Sequence, residues 1–115
     1  MSKQEELKTF KEYESAAKKV DFKFPNSDKL WYLGLGINGE AGEIADHIKK
    51  MFRDDCELTP ERRELILKEC GDVLWYLTKM ARVLGSSLQE VAEKNIKKLT
   101  SRKKKGTLKG SGDNR

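Results

Sequence analysis

Glu40 and Glu43, then Glu69 and Asp72, form two i, i+3 pairs of carboxylates and are the residues of this chain best placed to do chemistry. On a helix, side chains three apart lie about 60° from each other, so each pair converges on one side. His47 falls between Glu40 and Glu43 on that side, and Lys50 lies one turn further on. Leu33, Ile37, Ile44, Ile48 and Met51 make an apolar arc that adjoins the first pair. The second pair shares a face with Leu65, Ile66, Val73, Tyr76, Met80 and Val83, where core residues are expected. An ionised carboxylate buried without a partner is costly or becomes neutral, so two acids in an apolar stripe call for a cation or strong hydrogen bonds. Facing pairs would offer up to eight oxygens, the donor set preferred by hard cations such as Mg²⁺ or Mn²⁺, which commonly accompany phosphates. The bland reading pairs these acids with Lys50, Arg62 or Lys98 across a bundle. A single E-x-x-E would be read that way; the second pair tips the balance toward metal.

The elements that must hold these residues are helices. Leu7, Phe10, Tyr13, Ala17 and Val20 recur at helical spacing and predict a first helix from Gln4 to Val20. Pro25 breaks it, and Asn26 or Ser27 is placed to cap a second helix running to about Arg53. Thr59-Pro60-Glu61 reads as N-cap, first-position proline and first-turn acid of a third helix ending at Leu84, with Gly85 as its stop. Ser87-Leu-Gln-Glu90 has the spacing of a capping box that opens a fourth helix to about Lys103. No alternating strand pattern and no internal repeat is visible. The expected fold is an all-α four-helix bundle: one domain over residues 1–105 and a Gly-rich basic tail over 106–115.

Length and composition bound the rest. One modest core is what 115 residues allow. Hydrophobic and charged residues each make up 37%, lean for a monomer, and the third helix is apolar around most of its circumference. Both features predict a homo-oligomer, dimer or tetramer, with a tetramer built as a dimer of dimers favoured. No stretch approaches the roughly 20 apolar residues of a membrane span, and the first residues lack a secretion signal, so a soluble cytoplasmic protein without a membrane partner is expected. Cys56 and Cys70 with one histidine are too few soft ligands for structural zinc. The net charge of +5 is uneven: residues 97–115 hold eight Lys/Arg against Asp113, a local +7, which leaves −2 on residues 1–96.

Gly39-Glu-Ala-Gly-Glu43 followed by Glu69-Cys-Gly-Asp72 resembles the E-x-x-E, then E-x-x-D signature of the MazG-like nucleotide pyrophosphohydrolases. Asp72-Val-Leu-Trp-Tyr76 looks like the segment after that signature, and Asn95, Lys98 and Arg102 look like the family's downstream Asn, Lys and Arg positions. The resemblance covers nearly the whole chain. It implies an all-α enzyme that uses Mg²⁺, with Mn²⁺ an alternative, to cleave a nucleoside triphosphate into monophosphate and pyrophosphate, with nucleotide-pool housecleaning as its role. By that analogy Glu40, Glu43, Glu69 and Asp72 hold the metal, Glu43 serves as general base, and Lys50, Asn95, Lys98 and Arg102 bind the substrate. Arg115 and the Gly110–Asn114 run also resemble the tail of relatives, which would close over phosphates or reach a neighbouring subunit. The all-α dUTP/dCTP hydrolases and phosphoribosyl-ATP pyrophosphohydrolase share the acid-pair logic and are poorly separated from this reading.

Other motifs carry less. Gly34-Leu-Gly-Ile-Asn-Gly39 matches G-x-G-x-x-G, but the chain offers no parallel strands and Glu40 directly after it would repel pyrophosphate. Gly34, Gly36, Gly39 and Gly42 each weaken a helix, so close approach of a neighbour, or a kink before Glu40, is expected. His47 with the carboxylates invites a di-iron reading, which a lone histidine four residues from Glu43 does not sustain. Trp31, Tyr32, Trp75 and Tyr76 could stack on a base, yet aromatics at helical spacing more often form core or interface. The rival from another class is a non-enzymatic helical nucleic-acid-binding protein using Lys97-Lys98, Arg102–Lys105 and Lys109. That reading is disfavoured because it leaves Glu69 and Asp72 unexplained.

Overall fold

Capping residues and short connectors divide the chain into α1 (Phe10–Lys19), α2 (Leu30–Asp54), α3 (Pro60–Val83) and α4 (Leu88–Lys105). The computed structural model describes residues 6–106, Gly110 and Gly112, and among them there is no strand. The all-α expectation holds, with boundaries moved by local hydrogen bonding. At the start of α1 the Thr9 hydroxyl accepts the N–H of Glu12 at 3.1 Å and the Glu12 carboxylate accepts that of Lys8 at 3.2 Å. This reciprocal cap starts the helix at Phe10, later than expected; the expected first residue, Gln4, lies outside the described residues.

Asn26 and Ser27 do not cap α2. Asn26 takes a left-handed φ of 69°, and the Ser27 hydroxyl accepts the N–H of Phe24 at 3.4 Å, closing a turn inside the connector instead. The helix begins at Leu30 behind Lys29, which makes no side-chain cap bond. Thr59 caps α3 as expected, accepting the N–H of Arg62 at 3.2 Å, and Gly85 turns the chain at φ 74°. Ser87 caps α4 through Glu90 N–H at 3.1 Å, but the Glu90 carboxylate takes the Ser86 hydroxyl at 2.6 Å. α4 runs on to Lys105, where left-handed Gly106 ends it. In the tail, the Gly112 carbonyl accepts from Arg102 Nη2 at 3.2 Å. Arg115 and Ser111, Asp113 and Asn114 lie outside the described residues.

The five residues Asp55–Thr59 join α2 and α3, which forces them to lie antiparallel, and these two helices form by far the most extensive pairing in the chain. At 25 residues, α2 is about 37 Å long. α1 and α4 pack on each other, and α4 packs on α3. One contact between α1 and α4 is polar and specific: a Glu14 carboxylate oxygen accepts the N–H of Leu88 at 2.7 Å, satisfying a donor that the first turn of α4 leaves without an intrahelical partner. Tyr13 on α1 hydrogen-bonds the Thr78 side chain on α3.

Within one chain these contacts close little core. Among the described residues the buried apolar ones are Ala17, Leu33, Ala81 and Leu88, whereas Phe22, Trp31, Leu35, Phe52, Leu58 and Ile96 are exposed. The accessible surface is 9135 Å², against about 6,400 Å² for a compact monomer of this mass. The radius of gyration is 17.1 Å, where about 13 Å is usual for this length. The four helices therefore leave much of a bundle's interior open. No described helix is long and apolar enough to cross a membrane.

Removing the carboxylate that caps α4 from α1 leaves a part-buried donor unsatisfied. Glu14→Ala is expected to lower unfolding free energy by about 1–2 kcal/mol in urea titrations, without loss of helix content in the native baseline.

Candidate active site

The antiparallel register of α2 and α3 is read from one close approach. A Cβ added at Gly36 would run into the Tyr76 ring, so this ring lies against the backbone of α2 where only glycine leaves room. Four residues along each helix in opposite directions, Glu40 comes level with Asp72; three more bring Glu43 level with Glu69. Of the four glycines singled out for close approach, Gly36 alone has a neighbour there: Gly34, Gly39 and Gly42 have nothing within 4 Å of an added Cβ. α2 runs unbroken through all four, and the G-x-G-x-x-G match lies wholly inside it, with no strand before it among the described residues.

Glu40, Glu69 and Asp72 each offer a carboxylate oxygen, and these oxygens all lie within 4.8 Å of one another. Glu40 and Glu69 are half-buried and Asp72 is exposed, so the acids stand at the rim of the interface between α2 and α3 rather than deep in an apolar stripe. The fully buried residues of α3 are Thr78, Lys79 and Ala81, two of them polar, which apolar periodicity does not mark. The expected stripe is only half covered: Ile66, Val73, Tyr76 and Met80 are half-buried, while Leu65 and Val83 are exposed.

Crowding of like charges leaves an electrostatic signature. The Glu40 carboxyl is pushed above its ordinary range, first by desolvation, then by the charge of Asp72, a hydrogen bond with Glu69 and the charges of Glu69 and Glu43. The Tyr76 hydroxyl, hydrogen-bonded to that of Tyr32, is also raised, chiefly by burial and then by Tyr32, with smaller effects from Glu40 and Asp72. Tyr13 is raised by burial and by Asp72. An all-oxygen set held this close against mutual repulsion fits a hard divalent cation, whose charge would offset that repulsion.

Glu43 is exposed and stands outside the three-carboxylate group, although its charge acts on Glu40. Lys50 is exposed and drawn to its own helix: its Nζ lies 2.8 Å from Asp46, whose carboxyl is pulled down to about 2 by hydrogen bonds from Lys49 and Lys50. Asn95, Lys98 and Arg102 share α4 but differ in depth, being exposed, half-buried and buried in that order. None of these four belongs to the carboxylate cluster. His47, placed from sequence between Glu40 and Glu43 and weighed there as an iron ligand, has Nε2 3.5 Å from Glu69 Oε1 and so borders the cluster. The signal was present: seven residues after Glu40 is two helical turns, on the same line of α2.

An open cleft of about 330 Å³ leads to the acids, lined by Val20, Phe22, Glu40, Asp72, Trp75 and Tyr76. Trp75 and Tyr76 meet edge to face, with centroids 5.2 Å apart. Acidic and aromatic side chains thus line the same cleft.

A helical hairpin carrying a cluster of carboxylates is the class of protein these features define. A model of the MazG nucleotide pyrophosphohydrolase domain matches residues 32–107, and the chain belongs to that family. It is also 47% identical over 87 residues, 75% of this chain and 76% of the relative, to the protein called Gene 37 protein of Mycobacterium phage L5. No solved structure matches the chain.

The raised Glu40 carboxyl predicts a pH dependence without added metal. Its folded pKa exceeds its unfolded one, so its stabilising contribution is complete below the unfolded value and is lost as pH rises through the folded one. Melting temperatures measured across this acidic range should contain a component that falls with rising pH, and Glu40→Gln should remove that component.

Proposed function

We propose that this chain hydrolyses a nucleoside triphosphate to the monophosphate and pyrophosphate, using Mg²⁺, or Mn²⁺, at Glu40, Glu43, Glu69 and Asp72. The carrying observation is the convergence of three of these carboxylates from two helices in a chain of the MazG family. When bound, the cation would neutralise phosphate charge and make water a better nucleophile at neutral pH. Glu40, Glu69 and Asp72, whose oxygens converge, would hold it. Glu43, exposed beside this cluster, is the fourth carboxylate of the proposed metal set and would also accept on a carboxylate oxygen the proton of the attacking water. His47, next to Glu69, orients that carboxylate. Lys98 and Arg102 on α4 supply positive charge for the polyphosphate, with Asn95 as a neutral donor and Lys50 joining them once released from Asp46. The expected products place the activity in nucleotide turnover.

The working form on this reading is a homo-oligomer, a tetramer arranged as two dimers. Its support is physical: the exposed apolar side chains and the excess surface are what a second copy would cover.

Two measurements test these readings. Glu69→Gln and Asp72→Asn should each abolish Mg²⁺-dependent pyrophosphate release from a panel of triphosphates while the helical circular dichroism is unchanged; activity retained in either variant rejects the metal role. Light scattering should return a multiple of the 13.2 kDa chain mass, and a value equal to one chain would refute the oligomer.

A further inference from the structure

The connector between α1 and α2 forms one wall of the cleft beside the acids, and hydrophobic burial does not hold it there. Val20, Phe22 and Phe24 are 58%, 71% and 50% exposed. The connector's inward residues are polar: Ser27, 4% exposed, and Asp21, with a side chain only 6% exposed. The Asp21 carboxylate lies 2.9 Å from Lys79 Nζ and 3.5 Å from Arg82 Nη1. Lys79 is itself 3% exposed, reaches Asp28 at 3.6 Å, and sits 5.4 Å from the centroid of the Trp75 ring. One buried ammonium thus ties both ends of the connector, Asp21 and Asp28, to α3.

A buried ion pair adds little stability over apolar residues of the same volume, but it fixes geometry, since either charge left alone would be strongly unfavourable. Here the geometry it fixes is that of Val20 and Phe22, which flank Asp21 and line the cleft with Trp75 and Tyr76. The cleft volume of about 330 Å³ falls at the lower end of small-molecule sites, about 300–1,000 Å³. Its aromatic side chains suit a planar ring, and its carboxylates suit phosphates that arrive with a divalent cation.

We propose that Lys79 is a positioning residue for substrate: through Asp21 it holds the Val20–Phe22 wall against which the base of the nucleotide packs. The inference rests on the pyrophosphohydrolase reading for the identity of the ligand. The clamp itself does not depend on that reading.

The test joins two readouts on the full chain. In the ligand-free protein, Lys79→Met and the double variant Asp21→Asn/Lys79→Met should speed amide hydrogen exchange across residues 20–28 while α2 and α3 keep their protection. The double variant leaves neither member of the pair as a lone buried charge, so it folds even if the single variant does not. With Mg²⁺ and the triphosphate that the wild type hydrolyses best, the double variant should raise KM about tenfold with kcat within about twofold. It should also discriminate less among bases, and Lys79→Arg should restore most of the KM. Unchanged exchange over residues 20–28 overturns the clamp. Faster exchange with unchanged KM, or a fall in kcat alone, overturns the role in substrate positioning. A wild type that releases pyrophosphate from no triphosphate sinks the function proposed above and the base-binding half of this inference, and the exchange result then decides the clamp alone.

Discussion

Repulsion among carboxylates set side by side on two helices is the constraint around which this molecule is arranged. The hairpin of α2 and α3 fixes its register where Tyr76 lies on Gly36, and that same register carries Glu40 to Asp72 and Glu69. Chain connectivity leaves these acids no freedom to separate, because both helices are long and paired along their length. The Glu40 carboxyl is raised accordingly, first by desolvation and then by the charges of Asp72, Glu69 and Glu43.

The rest of the chain shapes the approach to that cluster with little core of its own. α1 and α4 are joined through Glu14 at the α4 N-terminus and through a few apolar residues, leaving broad apolar faces uncovered. A domain of this size has little surplus of burial, and open faces on this scale are what the proposed oligomer would cover. The connector ahead of α2 follows a different logic: its apolar side chains face outward, and a buried charge pair takes over the task of fixing it. Directional contacts suit this task better than burial because hydrophobic attraction does not specify where a short loop must sit.

Class, element order and most caps were determined by the sequence by itself. Helical periodicity is strong over α2 and α3, and Thr59-Pro60 and Ser87 can make their cap bonds locally. The acid pairs were legible for the same reason, since i, i+3 spacing on a helix settles which side chains share a face. Family membership followed from their order along the chain. Local competition escaped this reading: Asn26 and Ser27 carry cap chemistry but spend it on a turn, and nothing in their identity says which use wins.

Only the tertiary structure decided what lies between elements far apart in sequence. Periodicity assigned α3 an apolar inner stripe, yet Thr78 and Lys79 are the polar residues it buries, because Asp21 and Tyr13 arrive from α1 and its connector to receive them. It likewise separated Glu43 from the three acids it accompanies and brought His47 to Glu69. Spacing along one helix reports angles about one axis. Which atoms meet depends on the offset between two helices, and that offset is set here by a ring lying on a glycine.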